Sequence, residues 1–195
     1  MVKLDTKTRQ KQILEISLEL IKEGGIQNLT MKKISHKIGI SEQAIYRHYE
    51  NKFAILCSII KYFNEHFETV YKEISKINNT TDRIARMIDI HLEYFENNPA
   101  TAAVIFSEEI FQNNSDLSQE VRKLVNWRIK AVTAMMKNGQ KQGDVSSDYP
   151  ANDLAFVILG GLRFLVTTWR LSDFSFSLRD KGESLKRSII ELVTV

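Results

Sequence analysis

The sequence predicts an all-α protein in two parts: an N-terminal three-helix unit built round a helix-turn-helix (residues 1–52) and a larger helical unit behind it (53–195). Three observations lead there. Apolar residues recur three and four apart almost throughout, the spacing of helices with one buried face, and no stretch alternates as a half-buried strand would. Only two prolines, Pro99 and Pro150, interrupt that pattern. Between Thr30 and Lys52, two short helical stretches flank a single glycine, Gly39.

Taken in order, the first helix spans about Thr6 to Glu23, with Ile13, Ile16 and Leu20 on one stripe and Leu14, Leu18 and Ile21 beside it. Gly24-Gly25 ends it, because a left-handed cap is cheap only without a side chain. Short helices follow over Met31–Ile38 and Glu42–Tyr49, and a long one over Lys52–Ile77 that breaks at Asn78-Asn79. Further helices are predicted from Thr81 to Asn97, Pro99 to Gln112, Asp116 to Gln142, Pro150 to Leu171 and Leu178 to Val193. Their limits carry stop and start chemistry: Asn98 before Pro99, Asn113-Asn114-Ser115, Gly143-Asp144 and Tyr149-Pro150. No internal repeat or low-complexity linker divides the chain.

The 195-residue chain is 43% hydrophobic, which is enough for a packed core. Its net charge is +3, but the charge is uneven. Residues 1–52 hold ten Lys and Arg against six Asp and Glu, and the rest hold 17 against 18. A polyanion is therefore expected at the N-terminal quarter. The single cysteine, Cys57, excludes an internal disulfide framework and a multi-cysteine zinc site, and fits a reducing cytoplasm. Met1–Gln10 lacks the apolar run of a signal peptide. The most apolar run, Leu154–Val166, is too short to span a bilayer and is broken by Arg163, so no membrane partner is expected. His66 and His91 lack neighbours at metal-ligand spacing, and no metal or other cofactor is expected. Phosphate-binding glycine loops, a nucleophile elbow and cysteine-based catalytic patterns are missing, so the sequence gives no basis for an enzyme.

Within the helix-turn-helix, Thr30 caps the first short helix, Ser41 caps the second, and Gly39 makes the turn. Ile34, Ile38, Ile40 and Ile45 are its expected core. Placing residues at 100° intervals turns Ile45 and Tyr49 inward and leaves Gln43, Ala44 and Arg47 facing out, with Glu42, Tyr46 and His48 at the flanks. Gln and Arg suit adenine and guanine edges, and alanine suits a thymine methyl, in the major groove of double-stranded DNA. A second sign is cations at helix starts. Lys32 and Lys33 follow Thr30 and Lys52 follows Asn51, where the helix dipole disfavours each by about 0.3–1 kcal/mol. A phosphate at the same amides reverses that cost. A lysine taken singly reads as an ordinary solvated residue; the three together point to DNA.

These residues resemble the DNA-binding domain of the tetracycline-repressor (TetR) family. The matching features are a helix of about eighteen residues ending in Gly-Gly, Leu29-Thr30 opening a short helix, Gly39-Ile40-Ser41 at the turn, and Tyr46-Arg47-His48-Tyr49 followed by Lys52. The resemblance covers about Thr8 to Leu56. It implies that Thr30, Tyr46, His48 and Lys52 contact phosphates and that Glu42, Gln43, Ala44 and Arg47 face the major groove; Lys32 and Lys33, from their place at a helix start, and the cap Ser41 complete the DNA-binding candidates. Many members carry a small residue at the position of Gln43, which here is long enough to reach a base. Glu42 either accepts from a cytosine amino group or turns away from phosphate.

The resemblance also implies a homodimer that binds a pseudo-palindromic operator as a repressor and answers to a small ligand in the helical body. Aromatic residues there suggest a pocket for an apolar or amphipathic compound, with Phe63, Phe67, Tyr94, Phe95, Phe106, Glu109, Trp127 and Phe156 as candidates, although ordinary core is the competing reading of each. Gly160-Gly161 costs roughly 1 kcal/mol per glycine inside a helix. Close packing would compensate, either within the chain or between subunits. The resemblance assigns the last two helices to the dimer, giving Phe156, Gly160, Gly161, Phe164, Leu185, Ile189 and Leu192 as interface candidates. A chromosome-organising or division-linked DNA-binding factor that recruits a protein is the alternative function.

Overall fold

The computed structural model describes residues 5–107 and 114–194. Among them every regular element is helical. In chain order they are α1 (Thr6–Gly24), a short 3-10 turn (Ile26–Asn28), α2 (Met31–Ile38), α3 (Glu42–Tyr46), α4 (Lys52–Ile74), α5 (Thr80–Asn97), α6 (Pro99–Ile105), α7 (Ser115–Gln142), α8 (Ala151–Leu171) and α9 (Leu178–Val193). They form two compact units, one of residues 1–63 and 99–121, the other of 64–98 and 122–195. Compactness therefore divides the chain inside α4 and α7, and the first unit reaches beyond residue 52.

Most helices end where the sequence predicts, and the exceptions have local causes. α3 is shorter than expected because His48 N–H bonds back to Ile45 O at 2.8 Å, tightening the last turn before Tyr49. α4 stops at Ile74 and not Ile77. Lys76 and Ile77 bond three residues back, and the Arg83 guanidinium takes the freed carbonyls, Nε on Ile77 O and Nη2 on Asn78 O. α6 ends at Ile105, short of the expected Gln112, with Phe106 in a turn and Ser107 outside any helix; the rest of the predicted continuation lies on residues 108–112, outside the described residues.

The first unit has its core where α1, α2, α3 and the start of α4 meet: Ile13, Leu20, Ile21, Leu29, Ile34, Ile45, Ile55 and Leu56 are buried. α6 packs on α1 in the same unit. Ile38 and Ile40, expected beside Ile34, are half-buried. Cys57 is half-buried too. Burial, then the Glu120 carboxylate, pushes its thiol upward, so it is no reactive thiolate.

In the second unit α5 packs chiefly on α9 and also touches α8, burying Ile84, Met87, Ile88, Leu92 and Phe95. α9 is braced on α5 by Lys186, whose Nζ reaches Asp89 Oδ1 at 2.7 Å, and by Leu178 N–H on Glu96 Oε1 at 3.1 Å. Two glycines allow close approach. A Cβ on Gly182 would meet Leu92, and one on Gly139 would lie 2.5 Å from Val145 Cγ2 and 2.7 Å from Thr80 Cγ2. α8 is long and apolar enough to cross a bilayer by length and composition. Leu154, Ala155, Ile158, Leu162, Val166 and Trp169 form one stripe of it that is buried inside the protein, while Phe156, Val157, Phe164 and Leu171 on it are exposed.

Candidate nucleic-acid interface

The local chemistry of the turn sets the angle between α2 and α3. Gly39 is left-handed (φ 78°, ψ 37°), and the N–H groups of Gly39 and Ile40 return to His36 O and Ser35 O, closing α2 with a paired cap. Thr30 Oγ1 accepts from Lys33 N at 3.2 Å, and Ser41 Oγ accepts from Ala44 N at 3.3 Å. Both predicted caps are thus formed. Ile34 and Ile45, fully buried, lock the helices together.

That arrangement leaves Glu42, Gln43, Tyr46 and Arg47 exposed on α3, with Ala44 half-buried beside them. Tyr49 turns inward. Its phenol bonds Ser58, and burial holds its pKa above the usual range, so it anchors the end of the motif to α4 as a neutral group. His48 is half-buried, and its Nδ1 has no hydrogen-bond partner among the described residues. Asn51 Oδ1 accepts from Ala54 N at 3.0 Å, which makes Asn51 the cap of α4. Lys52 sits in the first turn behind it, its ammonium 5.4 Å from the Phe53 ring centre.

The lysines that look alike in sequence separate in space. Lys32 and Lys33 are exposed at the start of α2, and Lys33 Nζ is held by Asn28 Oδ1, while the Asn28 amide donates to Leu20 O at 2.8 Å. Asn28 fits there because position 24 is a glycine: a Cβ on Gly24 would lie 3.0 Å from it. Lys37 is committed elsewhere. Its ammonium lies 2.5 Å from Glu23 and 3.1 Å from Glu19, bonds that raise its pKa and tie α2 to α1. Part of the N-terminal positive charge is therefore already neutralised. Asn28 was not singled out in the sequence, where it reads as an ordinary turn residue.

The ligand candidates fall in both compact units. In the first unit Phe63 is fully buried and Phe106 half-buried. In the second, Phe67 and Phe95 are core, Tyr94 is half-buried against Phe67 and His66, and Phe156 is exposed. Glu109 lies outside the described residues, as do Glu108 and Phe111. Trp127 lines a groove of about 480 Å³ between α4 and α7 in the second unit. Behind it His91 is completely buried, 4.1 Å from Phe67 and touching Arg128. Burial first, then the guanidinium, holds the imidazole well below its ordinary pKa and so neutral. The apolar stripe of α5 was the only sequence sign that His91 would be inside.

Of the dimer candidates, Phe156, Gly160, Phe164 and Leu192 are exposed, Gly161 and Leu185 are half-buried against each other, and Ile189 is buried within its own chain.

Comparison with known proteins bears on both units. Residues 13–59 match the profile described as bacterial regulatory proteins, tetR family, and residues 60–192 match that of the YsiA-like protein C-terminal region. The chain is 23% identical over 183 residues to the fatty acid metabolism regulator protein of Bacillus subtilis, covering 93% of this chain and 92% of that protein. It is 22% identical over 173 residues to the nucleoid occlusion factor SlmA of Vibrio cholerae, covering 86% and 87%. The crystal structure of the transcriptional regulator FadR from Bacillus subtilis in complex with stearoyl-CoA superposes with a TM-score of 0.81 at 22% identity, over 93% of this chain and 98% of that one.

Proposed function

The chain belongs to the TetR family of bacterial regulatory proteins and is a DNA-binding transcriptional regulator; from that premise we propose that it is a cytoplasmic, homodimeric repressor released from a pseudo-palindromic operator by a small apolar or amphipathic ligand. The observation that carries the DNA half is the outward face of α3, Gln43, Ala44 and Arg47, standing beside helix starts that carry Lys32, Lys33 and Lys52. The amides there meet phosphates and the side chains meet base edges. Two such faces, one per subunit, read two half-sites a helical turn or a multiple apart.

For the ligand half, a regulator of the same family crystallised with stearoyl-CoA supports an amphipathic effector. Release follows if the effector binds the operator-free conformation more tightly than the operator-bound one. The test is a salt-dependent binding titration on DNA upstream of its own gene. Specific binding that exceeds binding to random DNA by at least about 10³-fold is expected of a repressor. Equal affinity for the two would overturn the reading.

The similarity to a nucleoid occlusion factor keeps a second reading in view, a chromosome-organising factor that recruits a protein. Many scattered genomic sites and indifference to small molecules would favour it.

A further inference from the structure

Charge is unevenly placed in the helical body. Residues 121–142, most of α7, carry six Lys and Arg and no Asp or Glu, while the rest of 53–195 holds eleven against 18. At 100° per residue Lys123, Lys130, Lys137 and Lys141 fall within about 40° of one another, and at 1.5 Å per residue they span about 27 Å. All four are exposed. They form one cationic row along the helix.

A solvated helix face commonly pairs a lysine with an acid three or four residues away, as α1 pairs Lys11 with Glu15. The residues at those distances from Lys130 and Lys137 are neutral, apart from Lys141, which repels Lys137. Lys130, Lys137 and Lys141 have no hydrogen-bond or ion-pair partner among the described residues. The helix dipole favours Lys141, in the last turn, but does not reach back to Lys130. The row is therefore not explained by contacts within its own helix.

It borders the groove between α4 and α7. The residues that α7 lends to that groove, Trp127, Ala131, Ala134, Met135 and Asn138, lie on the neighbouring arc, on average about 80° round from the lysines. With Tyr71 of α4 they make a mainly apolar strip, and Ala131 and Ala134 leave room for another backbone to come close. Inside the groove Lys72 and Arg83 stand against one acid, Glu68, whose Oε1 accepts from Asn64 at 2.7 Å. A DNA backbone would use the row and leave the strip idle, and the flat surface of a bilayer does not enter a groove. A helix whose apolar stripe is edged by carboxylates meets both.

We propose that the α7 row and the strip beside it dock an acidic amphipathic helix of a partner protein. The inference does not rest on the repressor reading, since none of these residues belongs to the α3 face or to the helix starts beside it.

The probe is a fluorescein-labelled, lactam-bridged helix of about 18 residues, the length of the row, with leucines on one stripe and glutamates along its edge. Its binding to the full chain is followed by anisotropy. The same peptide with glutamine for glutamate, and a scrambled peptide of the same composition, should each bind at least about tenfold more weakly. The double variant Lys130→Glu/Lys137→Glu should lose the acidic peptide to the same extent and gain a peptide with lysine for glutamate, a rescue that misfolding cannot produce. Its melting temperature and operator affinity should stay close to those of the unmodified protein. Ala134→Gln, a polar side chain set on the strip without a charge, should also weaken the acidic peptide. Equal binding of the glutamate and glutamine peptides would overturn the proposal, and so would equal binding of the scrambled one. If the double variant instead keeps the peptide and loses affinity for random DNA, or for vesicles of phosphatidylglycerol and phosphatidylcholine, the row serves that polyanion and the proposal falls.

Discussion

Lys33, Lys37 and Lys52 carry the same charge and do three different things. Lys37 is spent on Glu19 and Glu23, Lys33 is steered by Asn28, and Lys52 stands at a helix start. Lys52→Ala should weaken operator and random DNA alike and lower the slope of log affinity against log salt by about 1, as read in a salt titration. Arg47→Ala should instead cost about 1–3 kcal/mol on the operator and much less on random DNA, narrowing the ratio between them. Asn28→Asp should pair Lys33 with a carboxylate and reduce the salt slope, and it should also lower the melting temperature because the donor to Leu20 O is lost. His91 makes a prediction about pH. Its imidazole is neutral when folded, so below about pH 6.5 the unfolded chain takes up a proton that the folded chain does not. Stability should fall as pH drops through that value, and thermal melts of His91→Gln between pH 7.5 and 5.5 should show a shallower fall.

Helix contacts give predictions of a different kind. Gly139 is held among short β-branched neighbours, Val145 and Thr80, which have no flexible end to move aside. Gly139→Ala should destabilise by about 1–3 kcal/mol, lowering the melting temperature by roughly 2–4 °C per kcal/mol, despite the better helix propensity of alanine. Gly160 is the opposite case. A Cβ there meets nothing within 4 Å in the single chain, and one on Gly161 would make only ordinary contact with Leu185 and Ile189. The cost of Gly160 is thus not recovered inside the described chain. The two glycines, adjacent in sequence and equivalent to any pattern argument, part company only once α9 is seen to cover one of them.

For the whole molecule, the exposed apolar line on α8 is the feature that most needs a partner. Phe164 is 73% exposed and Leu171 77%, with Phe156 and Gly160 on the same helix and Leu192 on α9. Large apolar side chains grouped this way mark an interaction surface. A second copy of the chain meeting it would complete a helical bundle and present two α3 faces to one DNA. Phe164→Glu should shift the protein to a monomer in analytical ultracentrifugation and weaken operator binding far more than binding of one head to random DNA. A variant that stays dimeric with full operator affinity would remove α8 from the interface.

The sequence by itself determined the helical class, the helix-turn-helix and its caps, because these depend on contacts within a few residues: Thr30 with Lys33, Ser41 with Ala44, Gly39 with its own backbone dihedrals. It located the outward face of α3 for the same reason, since 100° per residue is local geometry. The tertiary structure decided what depends on residues far apart in the chain. It committed Lys37 to α1 and left Lys52 at its helix start. It sent Phe67 and Phe95 into the core and set Trp127 on the wall of a groove. Aromatic content cannot tell core from pocket, because either use buries the same rings; the difference lies in whether the facing helix brings a leucine or an alanine.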